Sequence, residues 1–122
     1  MREIFVFGSN LAGRHGKGAA LCALQEHGAI YGQGWGPQGS SYAIPTKDEN
    51  LKPLTLNEIK VCIAEFLDHA EDMLGCGYIF NVTPIGCGLA GYKPEQIAPM
   101  FKDALSLPNV KLPKEFLDVL NA

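Results

Sequence analysis

Two apolar runs, IFVF at 4–7 and YIFNVTPI at 78–85, each lead straight into a cluster of glycines and then into a helical pattern. That repeated junction constrains the fold more than any other feature. A short, continuous run rich in β-branched and aromatic residues reads as a strand buried on both faces. Glycine carries an entropic cost, so it is placed where the backbone must turn left-handed or come close to something. GCGLAG, Gly86 to Gly91, therefore poses a choice between a tight connection and a loop that wraps a ligand.

The remaining elements follow from period and punctuation. After GSNLAGRHGKG, the stretch GAALCALQEHG has small or apolar residues at 19, 20, 23 and 24 and reads as a helix closed near Gly28. YGQGWGPQGSS is expected to be a glycine-rich loop. SYAIP is a short strand that Pro45 ends or marks as an edge. Thr55 to Leu74 is the clearest helix: Thr55 and Glu58 form a capping box, and residues 56, 59, 63, 66, 67, 70 and 74 keep a helical period. Pro94 suits a first helical turn, but Pro99 does not suit a helix interior. The expectation there is a short turn and then a helix from about Ala98 to Leu105. A last short helix follows Pro113, and no further strand is expected after Leu105.

Strand, glycine loop and helix alternate three times, which argues for α/β architecture with a mostly parallel sheet. With 122 residues, 47% of them hydrophobic, the chain is expected to form one domain, 1–122, with a real core. A net charge of −3 argues against a general nucleic-acid binder, though not against recognition of one nucleotide in a pocket. Cys22, Cys62, Cys76 and Cys87 form no C-x-x-C pair and have no histidine at zinc-finger spacing, so neither a metal nor a cofactor is implied. Cys22 and Cys62 fall on apolar helical positions and read as buried free thiols. The N-terminal stretch is too short for a leader or membrane span. The expected setting is reducing and cytoplasmic, with no membrane partner.

In open α/β sheets ligands bind at the carboxyl ends of the strands. Both main glycine loops lie there and enter helices, where N–H groups hold anionic oxygens. A phosphate-bearing ligand is the natural expectation. Neither standard nucleotide motif fits, however. A Walker loop ending at Gly16-Lys17 would need glycine where Leu11 stands and Ser or Thr where Gly18 stands. Residues 13–18 read G-x-x-G-x-G, not the dinucleotide G-x-G-x-x-G.

Asn10-Leu11 with Gly13, Gly16, Gly18 and Ala19-Ala20 resembles the macrodomain pattern of Asn, an apolar residue, a glycine cluster and a helix start. IGCGLAGY, Ile85 to Tyr92, resembles that family's second phosphate loop. YAIPTK, Tyr42 to Lys47, followed by Lys52-Pro53 and a long helix, is similar to the Tyr-x-x-x-Thr-Lys segment of one branch: the ADP-ribosylglutamate hydrolases and DNA ADP-ribosyl antitoxins. The likeness runs from about Phe5 to Leu105 and implies a macrodomain-like three-layer unit, trimmed at both ends.

The resemblance implies a pocket for ADP-ribose or an ADP-ribosylated protein or DNA. Gly8, Ser9, Gly16, Gly18 and Thr46 would contact the ligand, and Asn10 would face the distal ribose. Gly86, Cys87, Gly88, Leu89, Ala90, Gly91 and Tyr92 would wrap the diphosphate. Lys47 would be the catalytic amine, attacking the anomeric carbon, which requires it neutral. The relatives carry an Asp where this chain has Ala90; His15, Asp48 and Glu49 are the nearest substitutes in sequence. The implied activities are hydrolytic removal of ADP-ribosyl groups, binding or sequestering without turnover, or phosphate removal from phosphorylated ADP-ribose.

Each singled-out residue also has a plainer reading. Lys47 is equally a solvated loop lysine. Asn10 braces a strand-to-helix turn. His15 is a surface residue or a phosphate or acid/base group. Cys87 is a reactive thiol near a helix start, or a small space-filler. Trp35 stacks on a base or ribose, or caps the core.

Overall fold

The structure, a computed structural model, describes residues 2–122. Its elements are β1 (Arg2–Asn10), α1 (Gly18–Glu26), β2 (Gly36–Gln38), β3 (Ser41–Lys47), α2 (Leu56–Asp72), β4 (Tyr78–Val82), α3 (Pro94–Ile97), a 3₁₀ stretch (Ala98–Ser106), β5 (Val110–Lys111) and α4 (Lys114–Leu120). The five strands lie in the order β2-β3-β1-β4-β5. β3, β1, β4 and β5 are parallel, and only β2 runs antiparallel to its neighbour.

Alternation along the strands makes two cores. Val6, Tyr42, Ile44, Phe80 and Val82 point to a large core shared with α2, the 3₁₀ stretch and α4. Phe7 and Ala43, the intervening residues, point to a small one made with Ala20 and Ala23 of α1 and with Ala29. Helices thus cover both faces of the sheet, giving three layers. Small alanines on α1 let that helix lie close to β1 and β3.

Phe66 is the hub of the large core. Fully buried on α2, its ring lies 5.0 Å from Tyr42, 5.6 Å from Phe80 and 6.4 Å from Phe101. It therefore joins two strands, the long helix and the 3₁₀ stretch. α2 begins as its sequence signals: the Thr55 side chain accepts the Glu58 N–H while the Glu58 carboxylate accepts the Thr55 N–H.

Several expectations need correction. The 31–41 loop contains β2, a three-residue edge strand. β3 runs through Pro45 to Lys47, because β2 pairs only with residues 41–43. Beyond that point the missing proline N–H deprives no strand of a bond. The open edge is instead covered by 52–54, where Leu54 N–H donates to Thr46 at 2.9 Å. β4 stops at Val82, short of Ile85. The helix expected over 98–105 is 3₁₀. Pro99 cannot donate to residue 95 and crowds its carbonyl, so α3 ends and the chain tightens. The buried residues Ala98, Phe101 and Ala104 recur every third position, the period of a 3₁₀ helix rather than 3.6. A further strand, β5, does follow Leu105. Cys62 is buried as expected, whereas Cys22 is partly exposed.

Among the described residues no helix is long and apolar enough to cross a membrane. Because Phe66 links four elements, Phe66→Ala is expected to lower the unfolding free energy by about 3–5 kcal/mol. The check is a denaturant midpoint that falls while the slope stays constant.

Candidate functional site

The chain leaves β1 toward β3 on one side, by way of α1, and leaves β4 toward β5 on the other, by way of the 3₁₀ stretch. β1 and β4 are neighbours, so their carboxyl ends form the switch point where open α/β sheets hold ligands. A cavity of about 500 Å³ opens there. Gly8, Ser9 and Asn10 at the end of β1 form its floor with Thr46 and Lys47 of β3. Arg14 to Ala20, without His15, forms one wall, and Thr83 to Ala90, without Cys87, forms the other; Tyr31 and Leu51 stand at the margin.

Backbone packing shapes the floor. A Cβ on Gly34 would lie 1.8 Å from the Asn10 carbonyl oxygen, and one on Gly13 would lie 2.2 Å from the Gly32 carbonyl carbon. The 28–39 loop therefore rests main chain on main chain against the end of β1. Ser9 Oγ donates to the Gly34 carbonyl, and Thr46 Oγ1 donates to Ser9 O at 3.3 Å. The β1–β3 register shifts at Ser9/Asn10, bringing Asn10 opposite Lys47. Where such a shift is a bulge, it re-aims the side chains beside it.

Asn10 does the bracing work its plainer reading assigns. Its Nδ2 donates to Arg14 O and its Oδ1 accepts from Arg14 N–H, both at 2.9 Å. Lys47 is half-buried at the end of β3 and lines the cavity, so it is not a plain solvated loop lysine. His15 is no surface residue. It is fully buried, edge-on to Phe7 at 5.3 Å, with Nε2 2.9 Å from Gln33 O. It supports the loop from beneath and does not line the cavity. Asp48 Oδ1 accepts the N–H groups of Asn50 and Lys52, closing a local turn. Neither Asp48 nor Glu49 lines the cavity, so none of the three residues considered for an acid role reaches it.

The second loop divides. Gly86, Gly88, Leu89 and Ala90 line the cavity, whereas Cys87, Gly91 and Tyr92 do not. Cys87 packs on the large core, and burial, followed by the charges of Glu115 and Glu95, pushes its thiol up to about 11. The space-filling role fits this environment better than a reactive one. Tyr92 acts from behind the wall, its hydroxyl donating to Leu54 O at 2.5 Å. Trp35 also lies away from the cavity, with Nε1 donating to Glu65 on α2 at 3.2 Å.

Arg14 and Lys17 are the residues that sequence reasoning passed over. Both stand in GRHGKG, where attention to glycine spacing hid the charges between. With Lys47 they are the charged residues that line the cavity, and among the described residues no Asp or Glu lines it. Among the described residues, the N–H groups of Gly16, Lys17, Gly88, Leu89 and Ala90 donate to no protein acceptor. Three cationic residues and two stretches of free amide donors thus line one concavity. Leu51, also at its margin, holds φ of 64°, a strained value for a non-glycine residue.

No protein-family model and no curated protein matches this chain. A solved structure described as a protein of unknown function from Bacteroides thetaiotaomicron is similar in fold, with a TM-score of 0.64 at 17% identity. The match covers 91% of this chain and 86% of that one.

Thiol chemistry offers a check on the site's walls. Burial pushes Cys62 and Cys87 each up to about 11. At pH 8 both stay protonated, so iodoacetamide is expected to label exposed Cys76 first and Cys87 slowly. Mass mapping of the adducts checks this; rapid labelling of Cys87 would show that the second loop opens.

Proposed function

We propose that this chain recognises a nucleotide of the ADP-ribose type, with its diphosphate held between the two glycine loops. The observation that carries the reading is the carboxylate-free cavity at the β1/β4 switch point, lined by Arg14, Lys17 and Lys47. Its volume falls within the roughly 300–1,000 Å³ of ordinary ligand pockets. Cations and free amide donors suit phosphate oxygens, and charge-assisted hydrogen bonds are the stronger ones. The adenosine diphosphate ribose identity rests on the resemblance of the two loops and the Thr46-Lys47 segment.

Two glycines give independent support. Gly16 and Gly88 have ordinary backbone angles, and a Cβ on either would meet nothing within 4 Å. The fold does not require glycine at either position. Both line the cavity from opposite walls, where a bare backbone lets a ligand approach the amide groups.

Binding without turnover is the reading the geometry favours. A lysine nucleophile needs a neutral amine, and no carboxylate or histidine lines the cavity to take its proton. Hydrolysis through Lys47 is the second reading, favoured by the position of Lys47 in the cavity floor. Phosphate removal from phosphorylated ADP-ribose has no separate observation behind it.

Calorimetric titration with ADP-ribose, against AMP and ribose-5-phosphate, tests the reading. Selective micromolar binding is expected. Arg14→Ala and Lys17→Ala are each expected to weaken it roughly tenfold, the scale of one charged hydrogen bond. Gly16→Ala and Gly88→Ala are expected to weaken binding while leaving thermal stability unchanged or slightly raised. Absence of binding by the wild-type chain would sink the proposal. Borohydride trapping of a Lys47 adduct on an ADP-ribosylated substrate would replace it with the hydrolase reading.

A further inference from the structure

The far end of α1 from the cavity brings together three side chains of different chemistry. Cys22, Glu26 and His27 each place one ligand atom within 4.8 Å of the other two. Cys22 and Glu26 are four residues apart and so share one face of the helix. The Cys22 thiol donates to Glu26 Oε2 at 3.3 Å. His27 is the residue that closes α1, and its ring lies flat on Phe5 of β1, 4.3 Å between centroids and 9° from parallel.

We propose that Cys22, Glu26 and His27 form a binding site for a divalent cation of the zinc class. Thiolate, imidazole and carboxylate are the three side-chain ligand types zinc takes, and three protein ligands leave the fourth tetrahedral position to water. The thiolate and imidazole select against calcium and magnesium, which prefer oxygen alone. On binding, the Cys22 S–H bond breaks, the proton goes to solvent, and the sulfur lone pair forms the bond to the metal. No electron is transferred. The thiolate and the Glu26 carboxylate balance the two positive charges of the ion.

Two surrounding features support a cation there. The last turn of α1 holds no basic side chain, so the negative end of its dipole is unopposed by the helix itself. The stack on Phe5 fixes the plane of the His27 ring, the orienting role that groups around metal ligands usually perform. All three ligands belong to α1 and its capping residue, so the ion closes the last turn of the helix. The site shares no residue with the proposed nucleotide cavity and does not depend on that reading.

Titration of the full chain with Co²⁺ under reducing conditions tests this. One equivalent is expected to give a thiolate-to-cobalt charge-transfer absorption, bleached by Zn²⁺ and untouched by Mg²⁺ or Ca²⁺. Zn²⁺ is expected to raise the melting temperature. Cys22→Ser should abolish the absorption and the thermal shift. Glu26→Gln should weaken cobalt affinity by at least the roughly tenfold that losing an outer hydrogen-bond partner costs. Both substitutions lie outside the buried core, and circular dichroism confirms the fold. No charge-transfer band at saturating Co²⁺, or a band that survives Cys22→Ser, overturns the proposal.

Discussion

The contact on which the site depends is bare backbone against bare backbone. Gly34 lies so close to the Asn10 carbonyl that any side chain on its α-carbon would overlap it, and Gly13 is pressed on Gly32 in the same way. The 28–39 loop is thereby seated directly on the end of β1. Ser9 ties it down through the Gly34 carbonyl, and buried His15 ties it again through Gln33. Beyond β1 the Asn10 amide clamps the Arg14 main chain, donating to its carbonyl and accepting its N–H. The first wall of the cavity is therefore built by the protein's own hydrogen bonds. A preformed wall saves the ordering cost that a flexible loop would incur on binding.

Topology supplies the rest. Right-handed crossovers that leave neighbouring strands in opposite directions must diverge, and the divergence leaves a crevice. Here α1 goes to one face and the 3₁₀ stretch to the other. The two glycine loops consequently face each other across the ends of β1 and β4 without either covering the opening. The register shift at Asn10 and Lys47 falls at this mouth, as does strained Leu51. Irregular backbone is concentrated where the regular sheet stops, while Phe66 and its partners keep the opposite core regular.

Much of this was legible in the sequence, and the reasons are local. The three longest parallel strands were marked by apolar runs and the long helix by its capping box, because hydrophobic period and capping act between near neighbours. The carboxyl-end location of the site followed from the alternation of elements. What stayed hidden depends on distant contacts. β2 and β5 are two or three residues long and exist through their neighbours. His15 looks polar and loop-bound, yet Phe7 and Gln33 enclose it. Arg14 and Lys17 acquire meaning only when the walls meet. Cys87 and Tyr92 belong to the loop in sequence but face away from the cavity, one into the core and one toward Leu54. The 3₁₀ stretch was legible in principle, since its buried residues recur every third position.

The charge balance of the cavity bears on what it can do. Ala90, in the second wall, is buried, with 7% of its surface exposed, and brings no charge to the cavity. A carboxylate there would offset part of the positive charge of Arg14, Lys17 and Lys47 and could exchange protons with a lysine. Alanine does neither. The three cations are left unopposed within the cavity, and anionic oxygens are what would complete their hydrogen bonds. A diphosphate brings two such charges and many acceptors. On the proposed reading such a ligand is held and not turned over, because the lining residues include no proton acceptor of the kind that covalent chemistry by an amine requires. The proposed reading of binding without turnover rests on this balance: three unopposed cations, no proton acceptor among the lining residues, and glycines that leave the main chain of both walls bare.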